Sequence, residues 1–174
     1  MFVDDDNGKE YFGKEFVDKI SSIFDSYSNS NFIFVHGSIT RDDAEQILKN
    51  GLQCDYPEMY YTSELVTQND KLLFDKFRSW PHWDRKYLVM ITLSKLTGMG
   101  GYPIWQKGNY EEYLLSPEFI LGYINVPDKK FIDNPLYKQK KPEDYLKIAQ
   151  IQDRSYEVKT GKLLGITIPE DEAE

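Results

Sequence analysis

The chain holds a single cysteine, Cys54, and only two histidines, His36 and His82. One cysteine cannot close an internal disulfide, so the fold has to stand on its apolar core, and a reducing compartment is the plain expectation. Two histidines and one thiol at unrelated positions do not form a structural zinc set, and no metal is expected. Long apolar runs are missing too, and the N-terminus, MFVDDDNGKE, turns acidic at its fourth residue. Neither a membrane anchor nor a secretory signal is read there, and the chain is expected to be soluble and cytoplasmic. Basic residues are in deficit, with 21 Lys and Arg against 29 Asp and Glu, a net charge of −8. Phosphate backbones are gripped by clustered cations. The one basic cluster, YKQKKPE with Lys138, Lys140 and Lys141, is short and flanked by acids, so it reads as a solvated loop and nucleic acid as a disfavoured partner.

What the sequence has in quantity is aromatic: 13 Tyr, 10 Phe and 3 Trp among 174 residues. Such a content suits a dense core or a stacking site for a flat ligand. The length suits one domain, expected over 1–168, with the acidic PEDEAE of 169–174 as a disordered tail.

Periodicity gives the elements. Residues 10–27 carry Phe12, Phe16, Ile20, Ile23, Phe24 and Tyr27 at helical spacing and predict one amphipathic helix, closed by the polar SNSN. FIFVH (32–36) is a β-prone run too short for a helix. Thr40 and Asp43 then match a capping pattern, with Ala44, Ile47, Leu48 and Leu52 on one helical face and Gly51 in the place of a C-terminal cap. MYYTS (59–63) predicts a second short strand, residues 69–78 a helix, and KYLVMITLS (86–94) the clearest strand. The glycine-rich TGMGGYPIWQKGNY leads to EEYLLS and, past Pro117, to FILGYINV, two further strand candidates. Pro142 opens a predicted helix through Ile151, and GKLLGITI (161–168) a last strand. The fold class is α+β.

Three positions could carry chemistry: His36 at a strand end, the Tyr60-Tyr61 pair, and Glu111-Glu112 at the start of a strand. Each has a structural reading when taken singly: a histidine closing a strand, tyrosines packed in a core, solvated glutamates. Together they are the groups that would break the bond between ribose and nicotinamide in NAD. The transition state is oxocarbenium-like, so a carboxylate beside the sugar can hold its 2-hydroxyl and stabilise the developing charge. A tyrosine face can stack on the cationic pyridinium, and a histidine can hydrogen-bond a ribose hydroxyl.

VHGSITRDDAEQILKNGL resembles the first motif of the diphtheria-toxin-like ADP-ribosyltransferases, which include the poly(ADP-ribose) polymerases: a strand ending in His-Gly-Ser or His-Gly-Thr, a helix, and a Gly-Leu turn. MYYTS is similar to the family's second motif, an aromatic strand. EEYLLSPEFILGYINV is similar to its third, a glutamate followed by tyrosine and aliphatics and then a hairpin partner. The motifs span residues 34 to 126 in the family's order.

The resemblance implies a split antiparallel β-sheet core with flanking helices, NAD as substrate and no metal. It implies that His36 contacts the ribose on the nicotinamide side, that Gly37 holds the carboxamide through its backbone, and that Ser38 adds a ribose contact. Tyr60 takes the stacking position, with Tyr61 on the opposite strand face; a shift of one residue exchanges them. Glu112 takes the catalytic position, and Tyr102, Trp105 and Gln106 fall in the segment that recognises the acceptor. Two departures stand out. Lys71 occupies the place where many relatives have a second nicotinamide-sandwiching tyrosine, and Tyr110 two residues before Glu112 removes the Glu-x-Glu pattern of arginine-modifying relatives. The expected activity is mono-ADP-ribosylation of an acceptor that is protein rather than nucleic acid, in a toxin-like or effector-like role. An NAD glycohydrolase and an inactive binding module of the same fold are the alternatives.

Overall fold

A computed structural model describes residues 6–54, 63–67, 70, 72–80, 84–94, 104–106 and 113–139. Two helices open the chain, α1 (Asp6–Phe12) and α2 (Lys14–Tyr27), where the periodicity predicts one. The apolar spacing runs on through the break, but Gly13 adopts φ 90°, which no continuous right-handed helix contains. Its N–H still closes α1 on the Lys9 carbonyl, and its own carbonyl starts α2 by accepting from Val17. Phe12 and Phe16 remain stacked across the joint, with ring centroids 4.2 Å apart.

β1 (Asn31–Ser38) follows, longer than the predicted run by one residue before it and two after. α3 (Arg41–Asn50) is capped as its sequence predicts: Thr40 Oγ1 accepts from the Asp43 N–H at 3.1 Å, and the Gly51 N–H closes the last turn on Ile47 at φ 96°. β2 (Leu52–Cys54) leads out of it. The described strand near MYYTS is β3 (Glu64–Val66), just beyond that motif, and residues 59–62 lie outside the described residues. α4 (Leu73–Arg78) is shorter than the predicted 69–78. Asp70 is spent on a turn, where its carboxylate accepts from the Thr67 N–H and hydroxyl, and Leu72 enters the helix from the left-handed region at φ 58°.

β4 (Tyr87–Ser94) is the long central strand. β5 (Ile104–Gln106) forms inside what reads as a connecting loop, and β6 (Tyr113–Leu115) answers it as an antiparallel partner. A 3₁₀ turn (Pro117–Phe119) then precedes β7 (Ile120–Asn125) and β8 (Lys130–Asp133). The predicted helix 142–151, the strand 161–168 and the tail 169–174 lie outside the described residues.

All described strand pairs are antiparallel and fall into two sheets, β3-β1-β4-β7-β8 and β2-β6-β5. β6 and β7, expected to form a hairpin, therefore belong to different sheets, and the 3₁₀ turn carries the chain from one to the other. The five-stranded sheet is covered on both faces. Ile33 and Val35 of β1 and Leu88 and Met90 of β4 pack with α1, α2, α4 and Trp80. The alternate residues Phe34, Val89, Ile91 and Leu93 pack with Ala44 and Leu48 of α3 and with Leu52 and Leu115 of the smaller sheet. Double coverage explains why β1 and β4 read as unbroken apolar runs and not as alternating ones. No helix among the described residues is long and apolar enough to cross a membrane.

Candidate functional site

His36 and Ser38 lie two apart on β1, so they share the face of Phe34, the face turned to α3 and the smaller sheet. Where the apolar core ends on that face, a cleft of about 380 Å³ opens. His36 and Ser38 form one wall, the Gln46, Ile47 and Asn50 side of α3 another, and Leu52 and Gln53 of β2 continue it. His36 is half-buried. Ser38 is 3% exposed, and its hydroxyl has no hydrogen-bond partner. A buried hydroxyl without a partner is costly, and this one belongs to a residue that lines the cleft. Asn50 Nδ2 donates to Gln46 Oε1 at 2.7 Å, which lines up two amides along α3.

Gly37 does a different job. Its missing side chain faces away from the cleft, where a Cβ would meet Trp80 Nε1 at 2.9 Å and Arg85 Cβ at 3.0 Å. Glycine here lets the buried Trp80 indole and the stem of Arg85 lie directly against β1. The backbone of Gly37 is expected to hold a carboxamide, and its carbonyl accepts a hydrogen bond from Arg85 Nη1 at 2.8 Å. Arg85 thus joins the site although nothing in the sequence singled it out. Among the described residues it lines the cleft as the one guanidinium, against one carboxylate, the exposed Asp43 on the first turn of α3.

The structure therefore brings His36 and Ser38 to one cleft, with Gly37 between them on β1. Tyr60, Tyr61, Tyr102, Glu111 and Glu112 lie outside the described residues, as do Lys71 and His82. Trp105 and Gln106 are described as backbone of β5, where they pair with Leu114 and Tyr113 of β6. β6 begins at the residue after Glu112 and pairs on its other side with β2, Cys54 facing Tyr113 and Leu52 facing Leu115. The strand that Glu112 leads into is thus next to the strand that lines the cleft. No group of His, Cys, Asp and Glu able to hold a metal ion occurs among the described residues.

Comparisons with family models, with curated proteins and with solved structures find no match to this chain.

Proposed function

We propose that the chain is an NAD-dependent mono-ADP-ribosyltransferase, built on a split antiparallel sheet of the ADP-ribosyltransferase type. The observation that carries the reading is the placement of His36 and of Ser38, whose buried hydroxyl is unsatisfied, in the lining of one cleft flanked by β2, whose sheet partner follows directly on Glu112. In this reading His36 and Ser38 hold the ribose on the nicotinamide side, and Tyr60 stacks on the pyridinium. Glu112 holds the 2-hydroxyl and stabilises the positive charge that grows on the sugar. The bond from ribose C1′ to the pyridinium nitrogen breaks with its electron pair leaving on nicotinamide. An acceptor nucleophile then bonds to C1′ and gives up its proton. Tyr102, Trp105 and Gln106 fall to the acceptor side, and the strand that carries Trp105 and Gln106 pairs with β6.

The test is nicotinamide release from NAD by the purified protein, alone and with a cell lysate as the source of acceptor. Glu112→Gln should lower release by about a hundredfold or more, in line with the loss of a group that stabilises transition-state charge, while Glu111→Gln stays near wild type. Release that needs lysate marks a transferase, and release without it a glycohydrolase. A second reading is favoured by one observation: the backbone of Gly37, which would hold the carboxamide, already has its carbonyl engaged by Arg85. A binding module that has lost turnover would tolerate that contact, and would show NAD-dependent thermal stabilisation with no release.

A further inference from the structure

We propose that Arg85 anchors a phosphate of the ligand, so that the cleft selects a phosphorylated nucleoside over the bare nucleoside. The proposal rests on the reading of the cleft as a nucleotide site and adds to it a residue that the His-Tyr-Glu motifs do not contain. Arg85 is half-buried at the foot of β4 and is held at two points. Its Cβ presses on Gly37, and its Nη1 donates to the Gly37 carbonyl at 2.8 Å. A guanidinium carries five N–H donors in a rigid fork, so one bond to a carbonyl fixes the head and leaves the other donors available. Among the described residues no carboxylate pairs with Arg85, although the chain carries 29 Asp and Glu. A partly desolvated cation without a counter-ion, at the edge of a cleft, calls for an anion from outside.

Ser38 supplies the independent observation. Ser38 lines the same cleft and is 3% exposed, and its buried hydroxyl has no partner among the described residues. A ligand oxygen satisfies that hydroxyl, and an anionic group next to it satisfies the guanidinium. A sugar carrying a phosphate on its 5′ carbon offers both kinds of oxygen on one molecule. Asp43, the one carboxylate of the lining among the described residues, sits across on α3 and disfavours anions at that side, which favours the Arg85 end for the phosphate.

The experiment is a calorimetric titration of the wild type, Arg85→Gln and Arg85→Lys with NAD, ADP-ribose, nicotinamide riboside and inorganic phosphate, after circular dichroism has shown each variant to be folded. The wild type should bind NAD and ADP-ribose more tightly than nicotinamide riboside. Arg85→Gln should weaken the two phosphorylated ligands by about tenfold or more, the loss expected for a charge-assisted hydrogen bond, and leave nicotinamide riboside within about twofold. Arg85→Lys, which keeps the charge without the fork, should fall between them and stands in if the glutamine variant does not fold. Equal weakening of phosphorylated and unphosphorylated ligands would overturn the proposal, because Arg85 would then serve only to hold Gly37. Inorganic phosphate binding as tightly as ADP-ribose would also overturn it, by showing a plain anion site and not a nucleotide one. Arg85-dependent binding of ADP-ribose by a protein that neither binds nor cleaves NAD would uphold Arg85 and remove the transferase reading. NAD cleavage indifferent to Arg85 would do the reverse.

Discussion

Ser38 shows how stability and binding pull against each other at a single atom. Its hydroxyl is buried without a partner in the free protein, and a group in that state costs roughly 1–3 kcal/mol. Ser38→Ala should therefore stabilise the ligand-free protein, by about 1 kcal/mol once the lost van der Waals contact is set against the relieved hydroxyl. Under the proposed reading, the same variant should bind NAD more weakly. Denaturant melts beside calorimetry would check both signs, and a serine that stabilised the free protein would mean that the hydroxyl is satisfied after all. His36 and Ser38 were legible as candidates because they flank a glycine at a strand end. Arg85 was not, because an arginine between Asp84 and Lys86 reads like any solvated charge. Only the fold shows that it reaches back to a carbonyl 48 residues earlier in the chain.

The segment after β8 is pinned to the 3₁₀ turn by one buried side chain. Asn134 Nδ2 donates to the carbonyls of Pro117 and Ile120 at 3.1 and 3.0 Å, and its Oδ1 accepts from the Leu136 N–H at 3.1 Å. The turn it holds is the crossing from the smaller sheet to the larger. Asn134→Ala should cost about 2–3 kcal/mol, since it strands buried carbonyls that now have a donor. Because β6 ends at this crossing, under the proposed transferase reading the variant should also raise the KM for NAD. Thermal melts and saturation kinetics measure the two effects, and a stable variant with unchanged KM would sever the turn from the site. Neither this clamp nor β8 was visible in the sequence. KFID has an exposed, charged pattern that carries no strand signal, and its pairing comes from the neighbouring β7. α3, by contrast, was legible almost to the residue, because Thr40, Asp43 and Gly51 state its ends in local hydrogen-bond chemistry. The break at Gly13 lay hidden beneath a periodicity that two helices share across the joint.

At the scale of the whole molecule, the helix and sheet layers are tied together by a phenol. Tyr123 of β7 is 2% exposed, and its hydroxyl donates to Glu45 Oε1 on α3 at 3.1 Å. Burial, the hydrogen bond and the glutamate charge together push its pKa from 10 up to about 12. The unfolded chain releases that proton near pH 10, whereas the folded protein keeps it until about pH 12. The stabilisation it gives is fully present below pH 10 and is lost as pH rises through 12, a fall on the order of 2 kcal/mol. Tyr123→Phe should flatten that part of the alkaline decline relative to wild type, as read from urea melts at pH 9 and pH 11.5. Identical slopes in the two proteins would mean that Tyr123 ionises as freely folded as unfolded.

The packing at Gly37 also bears on inheritance. Trp80 and Arg85 press on Gly37 from the side opposite the cleft, and a single added methyl would strike the indole at 2.9 Å. Glycine at this position is therefore required by the helix layer, whatever occupies the cleft. A lineage that gave up the chemistry would remain bound to glycine after His36 by packing alone. The tripeptide His-Gly-Ser can thus outlive the proposed activity, and the residues that would drift first in an inert descendant are Ser38, which costs stability without a ligand, and Arg85 with its proposed phosphate contact.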